Sequence, residues 1–200
     1  SWSEEGDLNT GRGYQGTANN GTTTAALTFS GLINPETAPN PFGAVGFKTE
    51  SEEWNGSAWA EGDDLSVGRQ YISGAGIQTA ALGVGGHSPS IVATTESYDG
   101  SSWTEVADLN VGRARLMGGG THDAAIVAGG SSPSYVNSTE QWYNTSWTEV
   151  ANLSVARGTG GSGITTSAAN GFVAGGQPSG GANDTEEWTY AVAAVTFTSS

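Results

Sequence analysis

Apolar residues come in short bursts along this chain, and they never recur at the 3.6-residue spacing of an amphipathic helix. Between residues 113 and 157 the pattern predicts four strands. "RLMGGGTHDAAIVAGG" holds two short apolar runs, expected as strands joined near Gly118–Gly120, the second ending on Gly129–Gly130. "YVNSTEQW" alternates as a third strand, and "SWTEVANL" makes a fourth. Where other units pass from third to fourth strand they carry Asn55-Gly56 and Asp99-Gly100, dipeptides suited to the type I′ hairpin turn.

This four-strand pattern is periodic. Trp59, Trp103 and Trp147 stand 44 residues apart, and Arg69, Arg113 and Arg157 each follow their Trp by ten. The start of the chain repeats the wording, with Trp2, Leu8 and Arg12 at the same intervals. Each Trp precedes x-Glu (Glu4, Glu61, Glu105, Glu149), and each column leucine follows Asp or Asn (Asp7, Asp64, Asp108, Asn152). A second aromatic column, Trp54, Tyr98 and Trp142, runs five residues ahead of the first and continues at Trp188. Four antiparallel strands per period are the mark of a β-propeller blade, because one such sheet buries its faces only against copies of itself. The expectation is a single all-β propeller domain over 1–200, about four blades, with units near 13–68, 70–112, 114–156 and 158–200. Residues 1–9 are the candidate closing strand, expected beside Trp188, and the C-terminal "AVAAVTFTSS" is the competitor. An arc of a larger ring, or pairing between chains in a homo-oligomer, is the alternative to closure.

With its opening Arg, its Gly pair after the second strand (Gly85–Gly86, Gly129–Gly130, Gly175–Gly176) and the aromatic-then-Trp that follow, the chain resembles the kelch-repeat family. That resemblance covers nearly the whole chain and implies a kelch-like propeller. The aromatic-to-Trp interval of five is shorter than in kelch repeats, and the first unit has Gly31 alone where the others have a pair. The Thr/Ser/Asn/Gly-rich, lysine-poor wording also resembles kelch-type repeats in structural proteins of marine bacteriophages, which implies a virion or extracellular location.

Composition narrows the function. The chain has 20 acidic and 6 basic residues, a net charge of -14, and this argues against nucleic acid and anionic membrane surfaces as partners. There is no cysteine, which removes disulfides, thiolate metal sites and Cys nucleophiles. No apolar run approaches 18 residues, so no membrane insertion by a helix is expected.

Two readings fit the arginine column Arg12, Arg69, Arg113 and Arg157. It is either a ring of cations around the axis or a set of structural partners for Glu52, Glu96, Glu140 and Glu186, and the equal counts favour the second. The copper-radical chemistry that kelch folds can host needs a Tyr–Cys crosslink and His ligands, and here only His87 and His122 are present. "SYDGSSW" at 97–103 is one residue short of a sialidase-type Asp-box, and only Arg115 is left over from the repeat to hold a substrate carboxylate. His122-Asp123 beside a turn reads as turn chemistry before catalysis. Acids outside the repeated columns (Glu36, Glu50, Asp184) keep glycan hydrolysis as an alternative. No catalytic residue, metal or cofactor is expected.

The irregular feature is a loop. All six prolines (Pro35, Pro39, Pro41, Pro89, Pro133, Pro178) fall between second and third strands, and the first such loop, "GLINPETAPNPFGAVGF", is the longest. Its two phenylalanines, Phe42 and Phe47, break the repeat, and with His87 and Tyr135 they are the candidate ligand-binding residues, Glu36 and Asn40 adding hydrogen bonds. The expected function is a non-enzymatic binding or structural module on a virion or outside cells, adhering to a glycan or receptor through one loop face. A purely architectural subunit contacting other structural subunits is the alternative within non-enzymes.

Overall fold

The computed structural model describes residues 1–33, 46–164, 168–178 and 183–189. It is all-β among these residues, with four antiparallel sheets in sequence order around an axis. The first sheet holds β2 (Gly16–Thr17), β3 (Ala26–Phe29), β5 (Ser51–Trp54) and β6 (Trp59–Glu61). The second holds β7 (Ser73–Ile77), β8 (Ala80–Val84), β9 (Thr95–Tyr98) and β10 (Trp103–Glu105). The third holds β11 (Met117–Gly120), β12 (Ala124–Ala128), β13 (Thr139–Tyr143) and β14 (Ser146–Val150). The fourth holds β15 (Gly161–Gly163), β16 (Asn170–Ala174) and β17 (Thr185–Thr189), three strands among the described residues. A short pair, β1 (Arg12–Gly13) with β4 (Leu32–Ile33), links the entering chain to the first sheet.

Register repeats as the sequence does. Trp54 opposes Trp59, Tyr98 opposes Trp103 and Trp142 opposes Trp147, with ring centroids 5.5, 5.0 and 5.4 Å apart. These pairs and the column leucines fill the spaces between sheets. Leu27, Phe29, Leu65 and Trp103 are buried together between the first and second, and Leu82, Leu109, Val127 and Trp147 between the second and third. Inner strands approach closely, since a Cβ on Gly74 would lie 2.1 Å from the Thr17 carbonyl. At one end the axis is filled: Asn19 Nδ2 donates to Gly118 O (2.9 Å) and Asn20 Nδ2 to Gly120 O (2.8 Å).

Several local expectations change. Gly118–Gly120 belong to β11, and the turn that follows is Thr121–Asp123. The Asn-Gly and Asp-Gly hairpins are not type I′. Gly56 (φ 95°) and Gly100 (φ 94°) are the first central residues, as in a type II′ turn, and Asn55 and Asp99 sit one position earlier. There the Asp99 carboxylate accepts the N–H groups of Ser101 (2.9 Å) and Ser102 (2.8 Å), which explains why an acid or amide precedes the glycine. These bonds hold the Asp99 carboxyl below its ordinary value, the Ser101 hydroxyl contributing most.

The unpaired Gly31 is explained as well. In later blades the first glycine of each pair is left-handed (Gly129 φ 63°), and a Cβ there would lie 2.1 Å from the Arg157 carbonyl. In the first blade Ser30 takes this conformation (φ 62°), accepting from Arg69 N (2.8 Å) and donating to Arg69 O (2.7 Å). Residues 1–8 form no strand. Asn9 N donates to Glu52 (2.7 Å), but upstream Gly6 lies against Trp54 and Ser57 of the first sheet, and Trp2 is 103% exposed. The pairing expected with the strand at Trp188 is therefore not made in this chain, because its first residues turn onto the first sheet instead.

Candidate functional site

The arginine and glutamate columns meet in every blade. Arg12–Glu52, Arg69–Glu96 and Arg113–Glu140 lie 2.6 Å apart, and Arg157–Glu186 lies at 2.7 Å. The second carboxylate oxygen caps the incoming link, accepting from Ser66 N (2.7 Å), Asn110 N (2.8 Å) and Ser154 N (2.8 Å). Burial pushes the Arg69 and Arg113 guanidinium groups below their usual range, opposed by their glutamates, and both stay protonated. These cations are consumed by structure.

Two residues after each column arginine lies a different kind of position. Tyr14, Tyr71, Arg115 and Thr159 all have left-handed backbone, φ 58°, 55°, 59° and 59°. Their peptides are chained around the axis: Tyr71 N donates to Tyr14 O (2.9 Å), Arg115 N to Tyr71 O (3.0 Å) and Thr159 N to Arg115 O (3.0 Å). This mouth lies at the end opposite Asn19 and Asn20. Its side chains stack in a row. Tyr14 and Tyr71 have centroids 4.6 Å apart, and the Arg115 guanidinium lies 4.2 Å over the Tyr71 ring, a cation–π contact. Tyr14 is exposed and Tyr71 and Arg115 are half-buried. Among the described residues no carboxylate pairs with Arg115, whereas the four column arginines each have one.

The residues expected from the loops are only partly brought together. Phe47 and His87 meet, ring centroids 5.9 Å apart, and the His87 Nδ1 is buried with no partner. Tyr135 is one blade further on, against Gly158. Phe47 does not break the repeat: it bridges Leu32 as Ile91 bridges His87 and Tyr135 bridges Ser131. Glu36, Asn40 and Phe42 lie outside the described residues. Glu50 is engaged by Lys48 (2.8 Å). Its burial, the largest effect, pushes its carboxyl up, but Lys48 and Arg12 outweigh it and the net shift is downward.

His122 does more than turn the chain. Its Nε2 lies 2.7 Å from Ser97 Oγ and its Nδ1 lies 2.7 Å from Asp123 Oδ1, the order of a Ser-His-Asp triad. The Ser97 column explains this contact, because its members tie each blade to the next. Glu53 accepts from the Tyr98 hydroxyl and Gln141 donates to Ala168 O (3.1 Å). Asp123 is 72% exposed at its side chain, unlike the buried carboxylate that orients a triad histidine. Among the described residues no three His, Asp or Glu side chains converge as a metal site.

A series of repeated antiparallel sheets, three of them four-stranded, with these columns defines the class: a kelch-like β-propeller fold. YjhT, a kelch-repeat protein of known structure, is similar over 90% of this chain and 67% of its own, with a TM-score of 0.71 at 16% identity. At that identity the likeness speaks for the fold alone. No family model matches the sequence, and no curated protein is similar to it.

Sequence reading missed Tyr14, Tyr71 and Thr159 and met Arg115 only as the arginine left over. The available signal was positional: a fixed place in the repeat, two after the invariant Arg, where residue identity changes from unit to unit.

Proposed function

We propose that this chain is a non-enzymatic binding module whose recognition surface is the axial mouth formed by Tyr14, Tyr71 and Arg115, and that it takes a glycan carrying an acidic sugar. The observation that carries this reading is Arg115, a cation without a carboxylate partner among the described residues, held over a tyrosine in a chain of net charge -14. The exposed Tyr14 ring and the half-buried Tyr71 ring offer flat apolar surface to a sugar, and a guanidinium offers a fork of donors to its carboxylate. The adjoining Phe47–His87 pair extends the same face. The Ser97–His122–Asp123 relay serves as an inter-blade tie and lends no support to hydrolysis. Display on a virion or another extracellular surface, as expected from the acidic, cysteine-free composition, is part of the same proposal.

A glycan array followed by a hydrolysis assay on the same hits tests it. The expected result is binding without turnover, weakened at least tenfold by Arg115→Ala and by Tyr71→Ala with the melting temperature monitored in parallel. Turnover of a bound glycan, or affinity unchanged in both variants, would overturn it.

A further inference from the structure

Two column leucines are each buried with the tryptophan of the following blade's outer strand: Leu65 with Trp103, and Leu109 with Trp147. The next in the column, Leu153, has no such tryptophan among the described residues. At its place, between the third and fourth sheets, lies a cavity of about 130 Å³ lined by Ile126, Leu153, Phe172, Trp188 and Thr139, among others. Cavities of about 150 Å³ take up a benzene molecule, so the space suits an aromatic ring.

The polar chemistry points the same way. One interface earlier, Trp147 Nε1 donates to the Thr95 hydroxyl (3.0 Å). Thr139 is the equivalent of Thr95, at the start of β13, and its hydroxyl is buried without a partner. Buried hydroxyls are ordinarily satisfied, so an orphan lining a ring-sized apolar cavity marks a missing donor. Among the described residues the outer edge of β17 is also unpaired.

The chain carries the matching piece. "SWSEEGDLNTGR" at 1–12 follows the wording of "SWTEVADLNVGR" at 102–113, whose tryptophan fills the corresponding slot between the first two sheets. In its own chain this segment lies against the first sheet and leaves the Trp2 indole fully exposed. One end of the molecule thus presents an uncovered indole, and the other an indole slot beside a sheet edge that is unpaired among the described residues.

From this we infer that residues 1–8 of a second copy add to β17 as its outer strand, Trp2 opposing Trp188 and Glu4 opposing Glu186, with the indole N–H donating to Thr139. The register is copied from Trp147 against Trp142 and Glu149 against Glu140. Such head-to-tail contacts close into a ring or propagate.

Sedimentation of the full chain over a wide concentration range, with acrylamide quenching of tryptophan fluorescence, tests the inference. The expected result is self-association whose midpoint shifts at least tenfold to higher concentration in Trp2→Ala and in Ala151→Trp, which blocks the cavity rim, both with unchanged far-UV circular dichroism. Association that ignores both substitutions would overturn it. So would a monomer at every concentration, whether Trp2 is accessible to quencher or shielded by its own chain.

Discussion

The Arg113–Glu140 pair is the most demanding test of how the blades are held. Both side chains are buried, at 0% and 3% exposure, and every polar end of the pair except the Arg113 Nε is used. Glu140 Oε1 accepts from Arg113 (2.6 Å), while Oε2 accepts from Asn110 N (2.8 Å) and Nδ2 (2.7 Å). Arg113 also donates to Gly129 O (3.0 Å) and Ser138 O (2.6 Å). In Glu140→Gln the shape is kept, but whichever way the amide turns, its NH2 faces a donor, and the guanidinium loses its counter-charge in a dry site. Removing one partner of a buried pair costs about 3–5 kcal/mol. Against a total stability of about 5–15 kcal/mol, that is a large share.

For a domain of this length about 1 kcal/mol moves the melting temperature by roughly 2–4 °C, so a fall of about 10 °C is expected. Glu186→Gln makes the comparison internal, because the Glu186 side chain is 24% exposed and water can resolvate Arg157; about half the effect is expected. Arg113→Met combined with Glu140→Leu should cost less than the two single changes summed, since no charge is then stranded. Urea and thermal unfolding measure these variants together with the single changes Arg113→Met and Glu140→Leu. A loss under about 1 kcal/mol in Glu140→Gln, or equal losses at Glu140 and Glu186, would refute the view that desolvation governs the column.

Other positions give sharper local outcomes. Gly129→Ala should cost about 2–3 kcal/mol by melting, from left-handed strain and collision with the Arg157 carbonyl, while Gly129→Ser should recover part by repeating the bonds of Ser30. Trp147→Phe should cost about 2 kcal/mol in urea unfolding, through lost volume and an unpaired Thr95 hydroxyl. Burial, then the hydrogen bond to Glu53, push the Tyr98 hydroxyl well above its ordinary value of about 10. A raised folded value means the stabilisation is complete below that pH and is lost as pH climbs past it. Melting temperature should therefore fall more steeply above pH ~10 in the parent than in Tyr98→Phe.

The fold was legible because its determinants recur. Arginine, glutamate, leucine and tryptophan at a fixed period each satisfy a contact made once per blade, so the pairing of Arg113 with Glu140 was readable before any coordinate. What stayed hidden was set by backbone conformation and by neighbours across blades. The type II′ placement of Gly100 depends on where Asp99 turns its carboxylate, and Ser30 in a glycine's place depends on the peptide of Arg69. Phe47 was expected to break the repeat because the insertion before it hides its register. Only its bridge to Leu32 reveals that it matches Ile91 and Tyr135.

The mouth poses a question of cost that the repeat does not. Left-handed backbone is unfavourable by roughly 1–2 kcal/mol for a residue with a Cβ, and worse for a β-branched one. Glycine would relieve this, yet Tyr14, Tyr71, Arg115 and Thr159 occupy the four positions, in a chain with 32 glycines to place elsewhere. Backbone strain alone does not select that set; the proposed binding role supplies a use for the side chains that does. The cleanest test is Thr159, which is exposed and stacks on nothing described at the mouth. Thr159→Gly relieves the strain but frees the unfolded chain by about 0.5–1 kcal/mol, so the melting temperature should hold or rise by about 2 °C. A fall of more than about 3 °C would show that the threonine is there for the fold, and the argument from strain to binding would fail at that position.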